Sequence, residues 1–176
     1  MSELERALEW LRRELKASKA PVKVLATGSE WETYSQPDSW AKFLRERNEF
    51  FDWLKAEKVT GVIFLSGDRH FSAAYHILDR YVELTSGPLG SGNATLRPNP
   101  ERFSGNDEGK MWMVLEIDTS NPEPAIAYEL WQAGGGLLER REITWASING
   151  AEKIERSPYP LKPRRMEPKA ATPRTR

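Results

Sequence analysis

Leucines recur at positions 4, 8, 11 and 15, with Glu, Arg and Lys filling the other side. That spacing puts Leu4, Leu8, Leu11 and Leu15 on one face of a helix over about 2–17, with Ser2 as N-cap and Trp10 widening the stripe. A short apolar run over 22–26 predicts a strand, and 27–37 reads as a loop of small, polar and aromatic residues. Asp38 is a good N-cap for a second helix over 39–57. Its predicted buried stripe is Trp40, Phe43, Leu44, Phe51 and Leu54, with Phe50 and Trp53 on the flank. The next strand is expected over 59–66. Within it Val62, Ile63, Phe64 and Leu65 are continuously apolar, the pattern of a central strand covered on both faces. Helix, strand, helix, strand predicts parallel pairing with right-handed crossovers.

After His70 the period changes. Residues 72–78 and 81–85 read as strands joined through Asp79 and Arg80. Residues 86–109 read as one long loop rich in Gly, Ser, Asn and Pro, of a length that is usually functional. Strands follow over 111–117, 125–132 and 137–146, with Gly134, Gly135 and Gly136 forming a turn. The expected fold class is therefore α/β, a parallel part followed by an antiparallel meander.

Composition narrows the function classes. The 176 residues suit one domain, and the 26 basic and 26 acidic residues cancel, so no global field favours nucleic acid or a membrane. Without cysteine, disulfides and Cys-ligated metal sites are excluded. No apolar run reaches the roughly 18–20 residues of a membrane-spanning helix. The start Met-Ser-Glu-Leu-Glu-Arg carries no signal-peptide pattern and leaves the compartment open. Residues 1–150 are read as the folded body. Residues 151–176, with eight basic and three acidic side chains among prolines, are read as a disordered tail. Lys162, Arg164 and Arg165 invite a nucleic-acid reading. Tyr159 is the only aromatic beside them, so a solvated tail is expected instead.

The candidate chemistry sits where the apolar run 62–65 stops, at Ser66-Gly67-Asp68-Arg69-His70. In an extended backbone, residues two apart point to the same side. Asp68 and His70 would then converge beyond the carboxyl end of a central strand, where open α/β sheets place their ligands. Gly67 leaves room for close approach. The same spacing equally fits a turn capped by Asp68, with His70 an ordinary loop histidine.

Gly67-Asp68-Arg69-His70 after an apolar strand resembles the last metal-binding motif of the PhoD-like (alkaline phosphatase D) branch of the calcineurin-like metallophosphoesterases. The resemblance extends through Trp10-Leu11, Ser18-Lys19-Ala20, the strand from Val22 to Ala26, and Gly28-Ser29-Glu30-Trp31. It continues through Asp38-Ser39-Trp40, Arg45-Glu46-Arg47 and Glu83-Leu84-Thr85-Ser86-Gly87-Pro88-Leu89. Residues 4–145 look like the C-terminal half of such an enzyme. The resemblance implies part of a four-layer α/β/β/α sandwich and metal-dependent hydrolysis of phosphate esters. Asp68 and His70 would be metal ligands, to Fe, Ca, Mn or Zn. Two-metal sites clamp phosphate oxygens between ions about 3.5–4 Å apart, which takes more donors than two side chains supply. In the family the other ligands lie in an N-terminal half that has no counterpart here. The chain is accordingly expected to be a fragment or truncated member, inactive alone, whose partner is a separately encoded N-terminal half. Alternatives are a non-catalytic binding subunit and an accessory domain whose Asp-x-His is a turn. Arg69 is a candidate phosphate contact, and Ser86 and Asn93 are candidates for the site rim. His76 is expected to be a half-buried strand histidine and Glu30 an exposed loop glutamate. Trp31, Tyr34 and Trp40 are expected in the core rather than at a pocket mouth. With half of the sandwich missing, at least one sheet edge should be open.

Overall fold

A computed structural model describes residues 3–34 and 39–162. Helix α1 (Glu3–Ala17) leads into strand β1 (Lys23–Ala26), and a 3₁₀ turn (Trp40–Phe43) runs straight into α2 (Leu44–Ala56). Then come β2 (Val62–Ser66), β3 (Ser72–Ile77), β4 (Tyr81–Thr85) and β5 (Arg102–Asn106). Strands β6 (Met111–Asp118), β7 (Ala125–Gln132) and β8 (Gly136–Ile143) complete the order, with a 3₁₀ turn at Ser147–Asn149. The first five strands form one mixed sheet in the order β1-β2-β4-β3-β5, and β6-β7-β8 form an antiparallel second sheet. Strand β2 pairs in parallel with both β1 and β4, as its apolar run predicts. The expected α/β class, with a parallel part followed by a meander, is what forms.

The side-chain alternation of the first sheet assigns its two faces. Val62, Phe64, Tyr75, Ile77 and Tyr81 face the helices, where Leu15, Phe50, Phe51 and Leu54 cover them. Ile63, Ala74, Val82 and Leu84 face the second sheet and meet Ile126, Tyr128, Leu130 and Leu138. The layers run helices, mixed sheet, antiparallel sheet. Among the described residues, β1 and β5 are the edges of the first sheet, and β6 and β8 those of the second.

Several expectations shift for identifiable reasons. In α2 the buried positions are Arg47, Phe50, Phe51 and Leu54, spaced three, one and three. A charged residue in that stripe hides it from an apolar pattern, and the 3₁₀ turn of three residues per turn offsets the positions before it. Phe43 and Leu44, predicted for the stripe, are instead 59% and 48% exposed. Trp10 is exposed as well and does not widen the α1 stripe. Ser39 caps the 3₁₀ turn by accepting from the Ala41 N–H. The predicted caps Ser2 and Asp38 lie outside the described residues.

Strand β5 was hidden in the expected long loop. Its only large apolar side chain is Phe103, so no period marks it; pairing with β3, across a bulge at Ala74 and Tyr75, makes it a strand. The start of the expected tail also lies against the body. Ser157 N–H donates to Phe103 O, Tyr159 donates to Asp107, and Ile154 and Leu161 touch the second core. Residues 163–176 of that tail lie outside the described residues.

Candidate functional site

Because β1, β2 and β4 run parallel, the segments that follow them gather at one end of the sheet, beyond the carboxyl ends of these strands. Thr27 N–H donates to Leu65 O, and Ser86 N–H donates to Ser66 O, so the three strand ends are tied together. The segment after β2 carries Asp68 and His70, both exposed. Its backbone is not extended: Asp68 has φ 64° and His70 has φ 60°, both in the left-handed region. The convergence expected from an extended Asp-x-His is therefore replaced by two left-handed residues flanking Arg69. Left-handed backbone at a non-glycine residue costs about 1–3 kcal/mol and persists only where the surroundings impose it.

Those surroundings are visible. His70 O accepts from Ala94 N–H, which lays the segment holding Asn93 beside the motif. Asn93 is exposed, and its amide donates to Gly109 O. Ser86, also exposed, accepts from Met113 N–H through Oγ. Both predicted rim residues thus sit on segments bonded to the strand ends that carry Asp68 and His70.

Arg69 turns inward. Its side chain is 12% exposed, and Nε lies 2.9 Å from Glu30 Oε2. The contact is an ion pair by distance, with its N–H too bent for a hydrogen bond. The Arg69 guanidinium also lies over the Phe71 ring at 5.7 Å. This places the arginine against a buried carboxyl rather than at the surface where a phosphate contact would stand.

Glu30 is not an exposed loop glutamate; it is fully buried, as are Glu32 and Glu83. Glu30 Oε1 accepts from Tyr75 OH at 2.9 Å and from Thr85 Oγ1 at 3.0 Å. Glu83 accepts from the backbone N–H groups of Trp31 and Glu32 at 2.8 and 2.9 Å, and Arg47 Nε donates to Trp31 O. Glu32 accepts from Tyr34 N–H and from the Asn99 amide. The segment after β1 is therefore held at three successive residues by buried polar partners. Desolvation pushes the Glu30 carboxyl up to about 8, helped by Glu83 and Glu32 and opposed by Arg69 and Tyr75. Desolvation likewise raises Glu83 to about 7 against its two N–H donors. Tyr75 is held well above 10 by burial and by the three carboxyls, so it stays a donor.

Two other placements follow expectation in part: His76 is more deeply buried than expected, and of the aromatics expected in the core Tyr34 is 47% exposed. His76 is buried, with Nε2 2.9 Å from Ser147 O, on the face away from the helices. Trp31 is buried and stacks on Trp40, with centroids 4.4 Å apart. Sequence reasoning missed the carboxyl cluster as a unit. Its one sequence signal is Glu83, a charged residue inside Tyr81-Val82-Glu83-Leu84-Thr85, a strand otherwise suited to burial.

Asp68 offers a hard oxygen and His70 an imidazole nitrogen, a donor set that suits iron, manganese, zinc or calcium. Among the described residues no group of three or more His, Cys, Asp or Glu side chains is placed to hold a metal. Two donors by themselves do not complete a metal's ligand shell.

A mixed sheet with its charged segments at the carboxyl ends of parallel strands, backed by an antiparallel sheet, defines a two-sheet α/β protein with a strand-end site. The chain belongs to the PhoD-like phosphatase family, whose model matches residues 5–133. The solved structure of PhoD is similar to it at 21% identity and a TM-score of 0.50, over 85% of this chain and 36% of that one. GAP50, the anchor in the inner membrane complex of Plasmodium, is similar at 15% identity and a TM-score of 0.61, over 80% of this chain and 42% of that one. At these identities the two structures establish the fold. The chain spans well under half the length of either. No protein of curated function matches the chain.

Proposed function

We propose that this chain is the C-terminal portion of a PhoD-like, metal-dependent phosphatase or phosphodiesterase, and that Asp68 and His70 are its share of the metal ligands. The observation that carries the reading is the exposed pair itself. In a chain of this family, two side chains of ligand type stand in strained, left-handed backbone at the end of the central parallel strand. Such strain collects at functional sites. A bound ion would supply Lewis-acid polarisation of a phosphate oxygen. The chain's own residues do the rest: Asp68 and His70 present one oxygen and one nitrogen, and Ser86 and Asn93 stand on the neighbouring segments where a phosphate ester would enter. The remaining ligands come from a further half, on the same or a separate chain.

A second reading has one observation in its favour. Two donors do not complete a metal shell, and a relative in fold, GAP50, is described as an anchor. On that reading the chain is a non-catalytic partner subunit.

The two separate in a hydrolysis assay with nitrophenyl phosphate mono- and diesters across Fe, Ca, Mn and Zn. The chain alone is expected to stay at background. Mixed or co-expressed with the N-terminal half of a PhoD-like phosphatase, it is expected to show turnover that His70→Ala abolishes. A reconstituted mixture in which His70→Ala is as active as the wild type contradicts the ligand assignment. No turnover in any mixture favours the partner-subunit reading. Turnover of about 1 s⁻¹ or more by the chain alone, the lower end of ordinary enzyme rates, shows that it completes its own site.

A further inference from the structure

The carboxyl cluster lies beneath the candidate ligands, and one residue connects the two. Arg69 stands between Asp68 and His70, and its guanidinium reaches down to Glu30 rather than out to solvent. Glu30 is itself fixed from three directions. Tyr75 on β3 and Thr85 at the end of β4 donate to its Oε1, while its own backbone O accepts from Trp40 N–H. A fully buried carboxyl with that many partners is an immobile post. The segment 67–70 is also held at its end, where His70 O accepts from Ala94 N–H, while the Asp68 and His70 side chains are exposed. The 12%-exposed Arg69 side chain ties it to the buried carboxyl cluster.

We infer that Glu30 is a positioning residue for the proposed metal site, acting through Arg69 to hold Asp68 and His70 in their left-handed, outward-facing conformations. The inference rests on the reading of Asp68 and His70 as ligands and adds the support that aims them. The geometry explains a feature that reading leaves open. An inward contact to a buried carboxyl from the arginine between the two left-handed residues restrains both of them. It also accounts for an arginine in the motif without giving it a phosphate contact. Outer-shell partners of metal ligands characteristically set affinity in this way, and losing one costs about 10–100-fold.

The test is Mn²⁺ binding to this chain by calorimetry at pH 8.5 under argon. The proteins are wild type, Glu30→Gln, Arg69→Gln, the Glu30→Gln/Arg69→Gln double variant, Arg69→Lys and Asp68→Ala/His70→Ala. The two single glutamine variants are expected to bind about 10–100-fold more weakly. The double variant should be no weaker than the worse single one, because both break the same link. Arg69→Lys, which keeps the charge, should recover part of the loss; a purely packing role for the arginine predicts no recovery. Should Glu30→Gln fail to fold, the Arg69 pair of variants decides the matter by itself. If Asp68→Ala/His70→Ala loses binding while both single glutamine variants stay within twofold of wild type, the positioning inference falls and the ligand reading stands. Losses that simply add in the double variant overturn it as well. If Asp68→Ala/His70→Ala binds as wild type does, the ligand reading falls and the inference falls with it.

Discussion

Raising the pH should destabilise this protein in a range where most proteins are at their steadiest. Glu83 keeps its proton to about 7 in the folded chain, against an ordinary value of 4.5, and Glu30 keeps its own to about 8. In the unfolded chain both release their protons near 4.5. Between those values the folded state binds more protons than the unfolded state, so stability falls as the pH rises. The contribution is fully present below about 4.5 and exhausted above about 8. From the Glu83 value alone the loss is about 3 kcal/mol, and from the Glu30 value about 5 kcal/mol. The two carboxyls repel each other and titrate together, so several kcal/mol in total is expected, against a typical domain margin of about 5–15 kcal/mol. Glu101, also raised by burial, acts in the same direction. Asp79 and Asp118 are held below 3.8 by hydrogen bonds from Lys153 and Ser120, so they titrate beneath this window. Urea denaturation at pH 5, 6, 7 and 8.5 measures the effect, with linear extrapolation to water. Glu30→Gln keeps an oxygen for Tyr75 and Thr85 but cannot titrate, so its stability should fall much less across the series. A wild-type stability that is flat or rising between pH 5 and 8 would refute the account of the buried cluster.

Two substitutions test other parts of the structure. Gly61 has φ 70°, and a Cβ there would run into the Pro21 carbonyl and sit 2.9 Å from the Trp145 ring; Gly61→Ala should cost about 3 kcal/mol in urea titration, from left-handed strain and overpacking together, and a loss below about 1 kcal/mol would show that the close approach of these segments is wrong. Asp68→Gly should move the other way, gaining about 0.5–1 kcal/mol because glycine adopts the left-handed backbone freely, while weakening Mn²⁺ binding; a destabilised Asp68→Gly protein would mean that the carboxylate supports the fold rather than a ligand.

The apolar pattern made most of the framework legible, because burial on both faces of β2 and on one face of α1 leaves a periodic signature. It failed where burial is polar. Arg47 occupies a core position of α2 because the Trp31 carbonyl accepts from it, and that put the predicted stripe out of phase. Strand β5 has one large apolar residue and exists through its pairing with β3. At the site, the motif pointed to Asp68 and His70 but not to their backbone. Left-handed conformation at those residues is imposed by contacts far away in sequence, from Glu30 and Ala94. Glu30, Tyr75 and the β4 residues Glu83 and Thr85 come from three separate segments, so their meeting belongs to topology and no local spacing encodes it.

The central claim is that Asp68 and His70 are metal ligands, and direct observation of the ligand atoms tests it without any activity. Electron spin-echo measurements on Mn²⁺ added to the uniformly ¹⁵N-labelled chain report whether an imidazole nitrogen is bonded to the ion, and the two histidines allow assignment. The account predicts a nitrogen coupling in the wild type that survives His76→Gln and disappears in His70→Ala, with binding weakened in Asp68→Ala. A coupling that persists in His70→Ala, or no bound Mn²⁺ at millimolar metal, would contradict it.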